Sequence, residues 1–256
     1  MRPPEVLVAA FERVKQRWCG GEADYAATCE GLKSIRQDLT VQHVRDELTA
    51  AVYETHARVA LEARDVPSFL QCAAACKALH EDGVVGGPKA KAEFAAYRVL
   101  FAACAGSDGG AGGDAAAAGT GGGFAQAQRE AGALPPKVLR SRPVRHALRT
   151  AGALARGDFR AFFAAYEDAP RMAAYVLDTA AQKMRRHALA SLLAAYRAPL
   201  PLADVAAWLG FEYTDGDESG GRARQVVDAA RAWLEEQGCV MRGAALDVAA
   251  CRAAQV

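Results

Sequence analysis

The chain reads as mainly α: a helical-repeat solenoid followed by a C-terminal winged helix with a small β-hairpin. Three observations predict this. Apolar residues recur at spacings of three and four through residues 5–196, the period of one helix face. Alanine, the strongest intrinsic helix former, supplies roughly a quarter of the 256 residues, while aromatics are only 7%; small side chains favour close helix packing over a sheet sandwich. The residues after 198 then change pattern to helix, helix and two short strands about a glycine.

Taken in order, residues 5–18 place Leu7, Phe11, Val14 and Trp18 on one side, and Gly20-Gly21 ends that helix. Tyr25, Cys29 and Leu32 mark a second helix running towards Ile35. Val41, Val44, Leu48, Val52, Thr55 and Val59 form the clearest stripe, over 41–62, with Thr40 as its expected N-cap. A further helix runs from Asp65 to Leu79, and Glu93 to Cys104 aligns Phe94, Tyr97 and Phe101. Residues 105–123 are rich in glycine and alanine and read as a flexible loop, because glycine loses the most entropy on ordering and buries nothing. The Gly-Thr-Gly-Gly-Gly at 119–123 lacks the following Lys-Ser or Lys-Thr of a phosphate cradle. Helices resume after Pro135-Pro136 at 145–154, 158–166 and 172–196, the last with a stripe from Tyr175 and Val176 through Thr179 to Leu193. Helical pairs joined by short turns suggest a solenoid, although no strict repeat period is visible.

Beyond that, Leu200–Phe211 reads as a short helix, Thr214–Gly221 as an acidic loop, and Val226–Gln237 as a second amphipathic helix. Cys239–Val248 reads as a hairpin. The expected domains are 1–197, helical repeats, and 198–256, the winged helix. In a nucleic-acid-binding winged helix the second helix would be the reader, with Arg222, Arg224 and Arg231 as its basic residues. The block from 198 is net −4, however, so a protein-facing module fits at least as well.

The formal net charge of +1 argues against a globally basic nucleic-acid wrapper and against a highly charged disordered chain. No apolar run reaches the roughly 20 residues of a membrane span. The early charge at the N-terminus argues against a signal peptide, which points to the cytoplasm or nucleus. Seven cysteines, odd in number and irregular in spacing, read as reduced core thiols. Residues 134–197, by contrast, are net +8. They hold Lys137, Arg140, Arg142, Arg145, His146 and Arg149 with no acid among them. Two readings fit: a polyanion contact, or a solvated face whose acidic partners come from elsewhere in the fold.

Little points to catalysis. Cys72, Cys76 and His80 stack along one helical face, yet no C-x-x-C pair and no fourth ligand accompany them, so no metal or other cofactor is expected. Neither G-x-S-x-G nor H-E-x-x-H occurs, and carboxylate pairs such as Asp46-Glu47 sit at neighbouring helix positions and point apart.

One run stands out: Leu32-Lys33-Ser34-Ile35-Arg36-Gln37-Asp38-Leu39-Thr40-Val41-Gln42, continued by Val44–Thr49 and Val52–Glu62. Ser34, Arg36, Gln37, Asp38 and Gln42 cannot all be buried unless they pair with each other or with a partner chain; a corner held by Arg36–Asp38 bonds is one way. The run closely resembles the signature of the Sac-three/GANP/Thp-three family, in the branch of leukocyte receptor cluster member eight and yeast Thp-three. Weaker matches keep family order, among them Phe69, Gln71-Cys72, Glu93-Phe94, Gly157-Asp158-Phe159, Arg185-Arg186 and Leu209-Gly210-Phe211. The Gly/Ala run and the acidic loop depart from the pattern.

The resemblance implies a PCI-type, TPR-like stack of helical pairs capped by a winged helix, and a scaffold rather than an enzyme. It implies pairing with a second PCI protein, a small acidic Sem-one/DSS-one protein in the complex, and RNA contact in nuclear, transcription-coupled mRNA processing and export. Ser34, Ile35, Arg36, Gln37, Asp38, Gln42, Tyr53, Glu54, His56 and Arg58 are the signature residues. Expected RNA contacts are Lys137, Arg140, Arg142, Arg145, Arg149, Arg185 and Arg186. Expected partner contacts are Trp233, Val240, Met241, Leu246 and Val248, as an exposed apolar surface. A PCI subunit of a proteasome-lid, signalosome or translation-initiation assembly is the alternative.

Overall fold

The computed structural model describes residues 2–87, 89–105, 121–211 and 222–254. Among these, 13 helices and one three-stranded sheet form a mainly α helical-repeat fold with a small C-terminal hairpin. Residues 106–120 of the Gly/Ala run and 212–221 of the acidic loop lie outside the described residues.

The chain divides into two compact units. The first comprises residues 1–102, 126–148 and 170–176; the second comprises 103–125, 149–169 and 177–256. The helices, in order, are α1 (Pro4–Cys19), α2 (Tyr25–Val41), α3 (Glu47–Glu62), α4 (Val66–Glu81), α5 (Ala90–Ala105), α6 (Gly121–Gly132), α7 (Pro136–Leu139), α8 (Arg142–Arg156), α9 (Phe159–Glu167) and α10 (Ala173–Ala195). Strand β1 (Leu200–Pro201), α11 (Leu202–Trp208), α12 (Arg222–Glu236), β2 (Met241–Arg242), β3 (Ala245–Leu246) and α13 (Val248–Ala254) follow.

Aspartate caps four of these helices, α2, α3, α4 and α9. The carboxylates of Asp24, Asp46, Asp65 and Asp158 accept from the amides of Ala27, Thr49, Ser68 and Ala161 at 2.8–3.0 Å, satisfying donors that the first turn leaves unpaired. The expected cap at Thr40 is corrected here: α2 continues through Val41, and Thr40 Oγ1 donates back to the Arg36 carbonyl at 2.8 Å. Helix α3 starts at Glu47 because Asp46 provides the stronger acceptor. Val41 is thereby left exposed, while Val52 and Val59 stay in the core.

In the first unit Leu7, Phe11, Leu32, Ile35, Leu39, Val52 and Val59 form one core cluster, with Val14, Trp18, Val44 and Leu48 packed against it. Phe69, Phe94 and Tyr97 make a second, aromatic layer by edge-on contacts. In the second unit, Leu189, Leu192 and Leu193 of α10 join Leu202, Val205, Leu209, Trp233, Leu234, Leu246 and Val248. Tyr175, expected on the buried stripe of α10, is exposed instead.

The sheet has the order β1-β3-β2, both pairs antiparallel. Leu246 opposes Leu200 on one side and Met241 on the other. Strand β1 corrects the expectation of an uninterrupted helix from Leu200: Pro201 caps α11, and the Leu202 amide bonds the Ala244 carbonyl at 2.9 Å. Helix α6 is likewise a helix where the reading above placed a loop end and no element.

Two glycines need their conformation. Gly210 has φ +70°, and a Cβ there would stand 2.2 Å from Phe163 Cδ1. Gly157 has φ +65°, and a Cβ would stand 2.4 Å from His187 Nε2. Both let a helix end turn back against a neighbouring side chain. No described helix is long and apolar enough to cross a membrane.

Candidate functional site

The signature residues fall on α2 and α3, and the structure shows what holds them. Ser34 and Asp38 lie one turn apart on α2, and Gln42, its C-cap, follows at the same spacing, so the three share one side. All three meet Arg2. Its Nε donates to Asp38 Oδ2 at 2.6 Å, its Nη2 donates to Ser34 Oγ at 2.8 Å, and its carbonyl accepts from Gln42 Nε2 at 2.9 Å. The Arg2 hydrogen bond holds the Asp38 carboxyl below its ordinary range. The expected Arg36–Asp38 corner is therefore replaced by two separate attachments. Arg36 reaches α4, donating to Cys72 Sγ at 2.9 Å and Gln71 Oε1 at 3.0 Å, and its guanidinium lies 5.3 Å from the Tyr53 ring. Gln37 is exposed, and Ile35 is core.

On α3 the network is buried. Glu54, 2% exposed, bonds His80 Nε2 at 2.9 Å and accepts from the Gly86 amide at 3.0 Å. His56 Nε2 sits 3.4 Å from Cys29 Sγ, and its Nδ1 has no hydrogen-bond partner. Burial, helped by the Arg36 and Lys33 charges, pushes His56 down to about 4, so it is neutral near pH 7. Arg58 forms a two-toothed pair with Glu93, at 2.9 and 3.0 Å. The same carboxylate accepts from Tyr97 Oη at 2.9 Å and pairs with Arg171 Nη1 at 2.9 Å. Tyr97 Oη in turn accepts from the Met172 amide at 3.2 Å. A carboxylate only 1% exposed thus receives charge-assisted bonds from two separated stretches of the first unit.

Sequence reasoning had not singled out Glu93, Tyr97, Arg171 or Arg2 as site residues. A signal for Glu93 was present: it lies one turn before Tyr97, inside the apolar stripe of α5, where an unpaired carboxylate would be costly. Gly86, whose amide bonds Glu54, is also constrained by its neighbours. Its role is close approach, since a Cβ would stand 2.5 Å from the Ala51 backbone.

The cysteine–histidine face resolves into separate contacts. Cys72 meets Arg36, and His80 meets Glu54. Burial pushes the Cys72 thiol up to about 11 although Arg36 opposes the shift, and it pushes Cys76 higher still. Neither is a thiolate near neutrality. Among the described residues, no cluster of three His, Cys, Asp or Glu is placed to hold a metal ion.

The basic run is divided by burial. Lys137 and Arg140 at α7, and Arg142, Arg145 and Arg149 on α8, are exposed, whereas His146 is 1% exposed. Arg142, Arg145 and Arg149 are spaced three and four apart, which sets them on one face of α8. Arg149 lies 4.0 Å from Asp168, a solvent-exposed pair. Arg186 is exposed. Arg185 is not part of this surface. It donates to the Leu209 and Gly210 carbonyls at 3.0 and 3.2 Å and stacks 4.4 Å from the Phe211 ring centroid. Burial lowers its guanidinium pKa.

The expected apolar partner surface is also revised. Trp233, Leu246 and Val248 belong to the core, and the Trp233 indole donates to Gln182 at 3.0 Å. Val240 is 42% exposed, and Met241 is partly so. Both sit by β2, an edge strand of the sheet.

Among the described residues, stacked helices with a small C-terminal three-stranded sheet define a mainly α helical-repeat protein. The SAC3/GANP family model matches residues 70–219, and the chain belongs to that family. It is similar to a leukocyte receptor cluster member 8 homolog of Xenopus laevis, 36% identical over 82% of this chain and 24% of that protein. It is similar to SAC3 family protein A of Arabidopsis thaliana, 33% identical over 93% of this chain and 22% of that protein. A THP3 homolog of Schizosaccharomyces pombe is 34% identical over 83% of this chain and 49% of its own length. The chain therefore spans about half or less of each of these relatives.

Proposed function

We propose that the chain is a non-enzymatic scaffold subunit in nuclear mRNA processing and export, which pairs with a second PCI-domain protein and contacts RNA. Family membership supports the process. The observation that carries the scaffold role is the fate of the signature: its polar groups clamp α2, α3, α4 and α5 to one another. In this reading residues 1–197 are the helical-repeat domain. Residues 198–256 are a winged helix, with β1, α11, α12, β2 and β3 in the matching order. The partner sits on the edge strand β2 beside the exposed Val240 and the partly buried Met241. A small acidic subunit of the Sem-one/DSS-one kind belongs to the same complex. RNA phosphates meet Lys137, Arg140, Arg142, Arg145, Arg149 and Arg186.

The test is purification of the tagged protein from its own cells, with and without nuclease, followed by mass spectrometry. A second PCI protein with a small acidic subunit, both surviving nuclease, is the expected result. Recovery of lid, signalosome or initiation-factor subunits would overturn the assignment. For the RNA surface, glutamine at Arg142, Arg145 and Arg149 together should weaken binding at fixed low salt and reduce its salt slope. Unchanged affinity would reject that face.

A further inference from the structure

The second unit carries an aromatic cluster that neither the signature nor the basic run uses. Tyr196 lies just beyond α10, and Trp208 ends α11. Their rings stack, with centroids 5.9 Å apart and planes 23° apart. The Arg160 guanidinium, from α9, sits 5.6 Å from the Trp208 centroid. Trp208 packs against the apolar core and is held there. Tyr196 is outside it, 41% exposed, and the next residue, Arg197, is exposed as well. A tyrosine kept for packing alone would gain more by burial, because an aromatic face left in water forfeits the transfer energy. Here the inner ring is held against the core and the outer ring remains exposed.

We propose that Tyr196, backed by Trp208 and Arg160, is a stacking platform for an unpaired base of single-stranded RNA. The inference rests on the RNA-contact reading above and adds the form of RNA recognised. Every base has a π-face, so such a platform is tolerant of sequence. A duplex hides those faces, and side chains read it mostly through phosphates and 2′-hydroxyls, so an exposed ring selects single strands. Arg160 and Arg197 supply positive charge for the flanking phosphates. Asp204, one turn before Trp208, and Asp158, the cap of α9, keep the local charge mixed. The platform therefore adds stacking more than charge.

The test measures binding of a short labelled oligouridine and of a labelled RNA hairpin to the full chain, by fluorescence anisotropy at one low salt concentration. Tyr196→Ala should bind the single strand about tenfold more weakly, with an unchanged salt slope and hairpin affinity altered less than about twofold. Tyr196→Phe should bind like the parent, and equal melting temperatures would exclude misfolding. If Tyr196→Ala binds oligouridine normally while the α8 triple glutamine variant does not, the platform is wrong and the RNA reading stands. If the parent binds neither RNA, the RNA reading fails and takes the platform with it. Normal RNA binding by Tyr196→Ala with loss of a co-purifying protein would reassign the cluster to a protein contact.

Discussion

Between α2 and α5 the first unit buries ionisable groups: Glu54, Glu93, His56 and His80 are all at most 3% exposed. The C-terminal module of the second unit buries Leu200, Leu202, Val205, Leu209, Leu234, Leu246 and Val248 instead, with Arg185 reaching in to carbonyls at the end of α11. The first arrangement demands particular partners at particular distances, because each buried polar atom left alone is costly. The second demands volume and shape, which several apolar residues satisfy. The polar region should therefore fail sharply when one group is removed and tolerate little exchange. The apolar module should lose stability in proportion to the volume removed.

The largest expected effect is Glu93→Ala. It leaves Arg58 and Arg171 facing each other without their shared carboxylate and removes the acceptor of Tyr97. Losing one partner of such a pair costs about 3–5 kcal/mol, read as a lower urea midpoint at constant slope. Next is Leu246→Ala in the central strand, at about 3 kcal/mol from lost transfer energy and the cavity left behind. A similar loss from Leu246→Met would show that the module depends on shape as narrowly as the network does, and the contrast would fail.

A third effect depends on pH. His56 has its folded pKa lowered to about 4, below the ordinary 6.5 of an unfolded histidine. Between those values the unfolded chain binds more protons, so this contribution is complete above pH 6.5 and is lost as pH falls towards 4. The slope approaches about 1.4 kcal/mol per pH unit within the window. Subtracting the stability profile of His56→Gln from that of the parent should isolate it, and parallel profiles would reject the assignment. The smallest effect is at Arg45, whose exposed pair with Asp82 should cost less than about 1 kcal/mol on Arg45→Ala.

The same contrast governs how much was legible. Helices with an apolar stripe, such as α1 and α9, announce themselves by spacing. The polar signature was legible through its resemblance to the family run, and as polar groups inside an apolar period that must pair if buried. Its pairing was not legible: Arg36 and Asp38 look complementary as neighbours, yet they attach to α4 and to Arg2, contacts that depend on tertiary placement. Helix α6 was hidden because three glycines open it, and backbone entropy argues against a helix there. Its Ala127 and Ala131 are nonetheless buried, so packing outweighs propensity. Trp233 and Leu246 had the composition of an interface, but composition does not separate an interface from a core. The exposed Tyr196 could not be told from a stripe residue of α10 without coordinates.

The Glu93 junction has a consequence for biosynthesis. Arg171 and Met172 complete a cluster whose other members lie on α3 and α5, so residues from about 58 to 172 must have left the ribosome before that cluster can close. Until then a nascent chain holds Glu93 with part of its cationic environment missing. Shortened versions that stop before residue 171 should accumulate as chaperone clients or protease substrates even though they retain all of α1 to α5.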